Sequence, residues 1–264
     1  MHLYQSFTEL EQSLRPAGSV CTVGTFDGVH LGHQVLLRAL VDDAHSHDLP
    51  AALVTFFPHP RVVLGRSPTT YLTLPEEKAH QMGSLGVDIL VVITFTRETI
   101  QVSADEFVKL MITHLCMSSL WIGPDFALGN KRQGDAGFLR NKGVEYGFTV
   151  HEVAPVNAGL ESVSSTRIRV ALARGDFREV NLCLGRRFNV MGMLDDPLTI
   201  RVPIAHALPA PGHYPVLVCG EPYTVSITAP ALAENRIGNI VQLDHPAHCD
   251  PSARNNCVIE FLDS

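Results

Sequence analysis

The sequence predicts an α/β protein: a parallel sheet with helices on both faces, followed by a smaller all-β module. Two observations carry the first part. Through about Leu184, apolar runs alternate with helical patterns, as repeated strand–helix units do. Two of those runs, AALVTFF at residues 51–57 and ILVVITF at 89–95, are apolar almost throughout, which suits strands covered on both faces. A third observation carries the second part. From Asp195 on, prolines are dense (Pro197, Pro203, Pro209, Pro211, Pro215, Pro222, Pro230, Pro246, Pro251), and short β-rich runs lie between them with no helix of useful length.

In chain order, residues 20–24 read as a short strand. Residues 31–44 read as a helix, with Val35, Leu36, Ala39 and Leu40 at helical spacing. A buried strand at 51–57, a helix at 75–85 and a second buried strand at 89–95 follow. Residues 103–116 form a helix opened by a capping box, in which Ser103 caps the first amides and Glu106 reaches back. Short strands are expected at 119–122 and 149–153. The β module offers runs at 198–202, 215–219, 223–227, 237–243 and 258–262. The texture changes near residues 186–195, which gives two domains, 1–188 and 189–264. No internal repeat or low-complexity tract is visible.

Composition bounds the function. The 264 residues are 45% hydrophobic and 18% charged, enough to bury a core. A formal net charge of -7 argues against a general nucleic-acid binder. No apolar run reaches the roughly 20 residues that span a bilayer, and the first residues lack the pattern of a secretory signal, so the expected location is the cytoplasm. The six cysteines are scattered, with no CxxC pair, and read as reduced thiols. His245, His248, Cys249 and Cys257 fit no common structural zinc spacing and read as a His-rich loop ahead of a final strand. No metal site is expected there.

The most informative segment is GTFDGVHLGH, residues 24–33, at the first strand–helix junction. In open parallel sheets the ligand crevice lies at the carboxyl ends of the strands, and helix N-termini there suit phosphate. Gly24, Gly28 and Gly32 let the backbone approach a ligand closely. His30 and His33, three apart, share a face of the first helical turn and can grip phosphate oxygens. The plainer alternative is a tight turn whose histidines cap a helix. Neither a Walker loop nor a GxGxxG fingerprint is present.

A second segment, SSTRIR at 164–169, reads as a capped helix start. Ser164, Ser165 and Thr166 bring hydroxyls, and Arg167 and Arg169 bring guanidinium groups that suit phosphate. Alone it is equally an ordinary capped surface helix. Paired with HxGH, it offers a second grip on one triphosphate. A third segment, WIGPDFALGNKRQGD at 121–135, is a long glycine-rich loop leaving a strand, and such loops tend to be functional. A fourth, FFPHP at 56–60, offers either an apolar wall for a planar ring or a rigid loop with a core Phe.

GTFDGVHLGH, FFPHP, YLTLPEEK, LGVDILVVITF, SADEFV, WIGPDFALGNKRQGD and VSSTRIRVALARGDFREVNLCLGRRF occur in that order. Together they resemble the N-terminal module of the prokaryotic bifunctional riboflavin kinase/FMN adenylyltransferases, the FAD synthetases, over roughly residues 17–192. The resemblance implies a Rossmann-like nucleotidylyltransferase sheet followed by a β-barrel. It implies transfer of AMP from ATP to FMN with magnesium, giving FAD and pyrophosphate. His30, His33 and Arg169 would act on the phosphates. Gly24, Thr25, Phe26, Asp27, Gly28, Gly32, Ser164, Ser165 and Thr166 would bind ATP. Phe56, Pro58, Pro60, Asp125 and Phe126 would lie near the flavin. The family's FFPHP-like loop more often carries an acid where Phe57 stands.

The β module departs from the resemblance. Where the family's kinase barrel has Pro-Thr-Ala-Asn, this chain has Pro203-Ile-Ala-His206, so Ile204 and His206 replace magnesium- and phosphate-holding Thr and Asn. The expectation is a degenerate barrel without riboflavin kinase activity. Two other readings stay open on sequence: a nucleotidylyltransferase for another phosphorylated acceptor, and a flavin- or nucleotide-binding pseudoenzyme. Small-molecule substrates are expected, with no nucleic-acid or membrane partner; oligomeric state is not legible.

Overall fold

A computed structural model describes residues 1–13, 17–65, 70–228, 238–247 and 256–263. The elements are β1 (His2–Tyr4), α1 (Phe7–Ser13), β2 (Ser19–Val23), α2 (Leu31–Ser46), β3 (Ala51–Phe57), α3 (Pro60–Val63), α4 (Pro75–Ser84), β4 (Ile89–Thr94), α5 (Ala104–Leu115), β5 (Met117–Ile122), α6 (Ala136–Tyr146), β6 (Thr149–Glu152), β7 (Asn157–Ala158), β8 (Glu161–Ser162), α7 (Ser165–Ala173), α8 (Phe177–Leu184), β9 (Asn189–Asp196), β10 (Thr199–Val202), β11 (Gly212–Val218), β12 (Glu221–Ile227), β13 (Asn239–Leu243) and β14 (Cys257–Phe261). They fall into two compact units. One comprises residues 1–68 and 78–156; the other comprises 69–77 and 157–264.

The first unit holds a six-stranded sheet in the order β1-β4-β3-β2-β5-β6, and every neighbouring pair is parallel. Alternate residues of each central strand feed two cores. Val20, Leu53, Leu90 and Val92 pack with Leu36, Leu37, Leu40 and Val41 of α2. Cys21, Val23, Val54, Ile89, Val91 and Leu120 pack with Phe107, Val108, Met111 and Leu115 of α5. This double covering explains the unbroken apolar runs. Strand order reverses at β2, with β3 on one side and β5 on the other, so the crevice of such a sheet opens past the ends of β2 and β5.

The capping box of α5 forms as the sequence predicts. Ser103 Oγ accepts from the Glu106 amide (3.2 Å), and Glu106 Oε2 accepts from the Ser103 amide (2.8 Å). Ser103→Ala is expected to lower stability by about 1 kcal/mol, read as a urea midpoint shift without change in slope.

The second unit is built around a closed antiparallel barrel, β10-β13-β12-β11-β14-β9. Its core takes Val190, Ile200, Val216, Val225, Val241 and Ile259 from the strands. It also takes Phe177, Val180 and Leu184 from α8. Phe177 stacks on Phe261 with ring centroids 4.6 Å apart, and Asn181 Oδ1 accepts from the Phe188 amide (2.7 Å). The spatial division therefore lies before β7. Residues 188/189, where the sequence sets its boundary, mark the change from helix to strand inside this unit. Of the quartet His245, His248, Cys249 and Cys257, the second and third lie outside the described residues. His245 stacks on Tyr223, and Cys257 Sγ lies 3.6 Å from Cys219 Sγ.

Candidate active site

β2 ends at Val23, and the chain then turns sharply into α2. Gly24 keeps one more bond to the sheet, its amide donating to the Val54 carbonyl (3.0 Å). Phe26 (φ 47), Gly28 (φ 88) and Val29 (φ 41) then adopt left-handed backbone conformations. For Phe and β-branched Val this costs on the order of 1–3 kcal/mol each. Both side chains are buried, at 3% and 1% exposure, and that burial offsets the strain with roughly 1.5–3 kcal/mol per side chain. The loop is thus held by its own apolar residues in a shape that the backbone alone would not choose.

His30 is the N-cap of α2. Its Nδ1 accepts from the His33 amide (3.4 Å), which places the proton of the neutral ring on Nε2. The His30 and His33 rings stack with centroids 3.6 Å apart and planes 17° from parallel. The Phe26 ring meets His33 edge-on at 5.0 Å. A Cβ on Gly32 would lie 3.2 Å from the His30 ring, tighter than ordinary contact, so the His30 ring sits over glycine. His33 keeps part of its surface open, while its Nδ1 is sealed with no hydrogen-bond partner among the described residues.

Electrostatics keep this pair neutral. Burial pushes the His30 pKa down to about 4, with the Asp27 carboxylate opposing. Burial also holds His33 well below the usual range, reinforced by His30 and then by Lys78. Two stacked rings cannot both carry charge cheaply. At neutral pH the pair offers hydrogen-bond donors rather than cations.

The sequence reading did not single out Lys78. Its side chain is 5% exposed, and Nζ donates to the Thr25 carbonyl at 2.6 Å. Thr55 Oγ1 donates to the same carbonyl at 3.3 Å. Burial lowers the Lys78 pKa to about 8, with the buried Asp27 opposing. This lysine ends the YLTLPEEK motif, and its loop partner is 53 positions away in sequence.

The loop after β5 lies at the other side of the strand-order reversal. Asp125 is exposed, and its carbonyl accepts from Arg132 (2.8 Å). Phe126 is half-buried against the core shared with α5 and α6. Gly129 (φ 74) is obligatory, since a Cβ there would lie 2.5 Å from the Ala104 nitrogen. After β3, Phe56 sits edge-on to Phe95 at 5.5 Å and packs beside Phe107, so this ring belongs to the core edge. Pro58 and Pro60 are half-buried.

SSTRIR lies in the second unit. Ser164 caps α7, its Oγ accepting from the Arg167 amide (3.2 Å). Thr166 is exposed, and Ser165 and Arg169 are half-buried. Arg167 corrects the sequence reading. Its Nε donates to Glu179 (2.6 Å), and its terminal nitrogens donate to the Glu161 and Ala158 carbonyls (2.7 and 2.8 Å). Arg167 therefore clips α7 to α8 and to the β7–β8 hairpin, and its guanidinium is committed there rather than to phosphate. The structure thus brings His30, His33, Asp27 and the glycines together in one unit and organises Ser164–Arg169 in the other.

Comparison with known proteins follows the same lines. The family model described as FAD synthetase matches residues 12–167. A bifunctional riboflavin kinase/FMN adenylyltransferase of Pseudomonas fluorescens is 37% identical over 183 residues, covering 68% of this chain and 59% of the relative. The protein of the same name from Escherichia coli K12 is 32% identical over 233 residues, covering 83% of this chain and 74% of the relative. The chain thus spans under two thirds of the P. fluorescens relative's length, and 58% of a Haemophilus influenzae one. A crystal structure titled as a macrolide-efflux protein from Streptococcus pneumoniae shares the fold, with a TM-score of 0.77 at 22% identity over 99% of this chain and 89% of the other. With the matched model covering five of the sheet's six strands and the HxGH loop, the chain belongs to the FAD synthetase family.

Proposed function

We propose that the chain transfers the adenylyl group of ATP to the phosphate of FMN, giving FAD and pyrophosphate. One observation carries this reading: a stacked pair of neutral imidazoles on a strained loop at the strand-order reversal, presenting donors where a nucleotide phosphate binds. An FMN phosphate oxygen attacks the α-phosphorus of ATP, and the bond from that phosphorus to the bridging oxygen breaks as pyrophosphate leaves. The nucleophile is already anionic, so no Ser or Cys is needed. The protein's task is positioning and stabilising charge on the phosphates. His30 and His33 donate to phosphate oxygens, and Gly24, Thr25, Phe26, Asp27, Gly28 and Gly32 shape the loop beside the adenylate. Ser164, Ser165, Thr166 and Arg169 form the family's second anion-binding motif. Asp125, Phe126, Phe56, Pro58 and Pro60 flank the flavin.

Magnesium is the metal the family implies. Among the described residues no cluster of three or more His, Cys, Asp or Glu could hold a metal ion, and neutral imidazoles are poor magnesium ligands. Magnesium bound with ATP would neutralise charge on the phosphates, and oxygen ligands rather than these imidazoles would hold it.

The same reading assigns no riboflavin kinase activity to the barrel. Ile204 is 54% exposed and carries no oxygen ligand, and His206 is buried with its ring bonded to Glu77. The test is pyrophosphate release from ATP and magnesium with FMN as acceptor, run beside riboflavin, nicotinamide mononucleotide and phosphopantetheine. FMN-dependent release with FAD as product is expected, and no FMN should form from riboflavin. Release that depends on another acceptor, or on none, would sink the assignment.

A further inference from the structure

Lys78 is a cation in an unusual place. It sits on α4, yet its ammonium is buried against the loop that leads from β2 into α2. Lysine is almost never this buried without a purpose or a partner, and burying an ammonium is costly unless charge or hydrogen bonds compensate it. Its ammonium donates to a neutral carbonyl, that of Thr25. The buried Asp27 supplies opposite charge from two residues further along the same loop. Lys78 also acts electrostatically on His33, so its charge is felt at the imidazole pair. A carbonyl that accepts from both Lys78 and Thr55 cannot shift freely, which fixes the ammonium relative to the loop.

We propose that Lys78 supplies the fixed positive charge of the nucleotide-phosphate pocket, its ammonium held on the Thr25 carbonyl of the loop that leads into the His30–His33 pair. The inference rests on the functional reading above and adds a residue to it. The imidazoles, being neutral, contribute directed donors but no net charge. A polyphosphate needs both. An ammonium has three donors, so the bond to Thr25 leaves capacity for Asp27 and for phosphate oxygens. The alternative is a strap that only shapes the loop.

The experiment compares ATP with adenosine on the full-length protein and its Lys78→Met and Lys78→Arg variants. ATP affinity is measured by calorimetry and adenosine by saturation-transfer NMR, with circular dichroism checking the fold. Lys78→Met is expected to weaken ATP by about 30-fold or more, as loss of a charged contact to phosphate should. Adenosine should change less than about 3-fold, since it has no phosphate. Lys78→Arg, which keeps the charge, should stay within about 5-fold of wild type for ATP. Equal losses for ATP and adenosine would mean a strap alone and overturn the inference, as would ATP binding that Lys78→Met leaves unchanged. If Lys78→Met does not fold, the Arg variant decides: it must keep ATP affinity. Wild-type protein that binds no ATP would instead overturn the functional reading itself.

Discussion

His33→Ala is expected to lower the turnover of FMN adenylylation by about 100-fold or more, with the fold intact. Removing one preorganised donor to transition-state charge typically costs about 2.7–4 kcal/mol of barrier. The fold survives because the ring contributes little to the core. It is partly open, and its buried Nδ1 has no hydrogen-bond partner among the described residues, so deleting it removes an unsatisfied atom. Steady-state kinetics beside a thermal melt separate the two effects, and a folded, fully active variant would rule out the imidazole mechanism. The neighbouring ring carries a pH signature. The folded pKa of His30 is about 4, below the ordinary 6.5 that the unfolded chain would show. Between these values the unfolded state binds more protons. The stability of the neutral buried ring is therefore complete above about pH 6.5 and drains away as pH falls through 4. The loss is on the order of 3 kcal/mol. His30→Asn should flatten that part of the pH–stability curve, measured by urea unfolding.

What the sequence made legible was local. The strand at 51–57 has the observed bounds of β3, and the capping box of α5 forms between residues three apart, because both are set by pattern within one element. The HxGH turn was legible for the same reason: glycine, histidine and the start of a helix lie within ten residues. What was hidden depends on partners far along the chain. Lys78 reads as one more charge on an amphipathic helix until Thr25 meets it. Arg167 reads as a phosphate ligand because a guanidinium near an anion-binding helix start suits phosphate; only the position of Glu179 shows its commitment elsewhere. β9 escaped notice because NVMGMLDD has neither alternation nor β-branched enrichment. Its Gly192 is there to let β10 pass, since a Cβ would lie 2.6 Å from the Ile200 side chain.

The second large effect is on stability. Glu77→Ala is expected to destabilise the barrel-containing unit by about 3–5 kcal/mol. The Glu77 side chain is 4% exposed and that of His206 0%. Its carboxylate accepts from His206 Nε2 (2.9 and 3.0 Å), from the Leu74 amide (2.7 Å) and from the Met191 amide (3.1 Å). Truncation leaves the buried His206 donor and two part-buried amides unanswered, a buried one costing about 1–3 kcal/mol when unmade. Glu77→Gln keeps one oxygen acceptor and the shape, so its cost should be smaller. The sole tryptophan, Trp121, lies in the other unit, so its emission should respond little. Hydrogen exchange at the Met191 amide and along β9 and β10 should lose two or more decades of protection, at about 1.4 kcal/mol per decade. Unchanged protection would show that the Glu77–His206 contact is dispensable. The consequence reaches function. At the position where the family resemblance expects a phosphate-holding Asn, this chain places a buried imidazole bonded to Glu77. Restoring the family residues through Ile204→Thr and His206→Asn should therefore loosen the barrel, because the shorter amide must span the gap to Glu77 that the imidazole now fills.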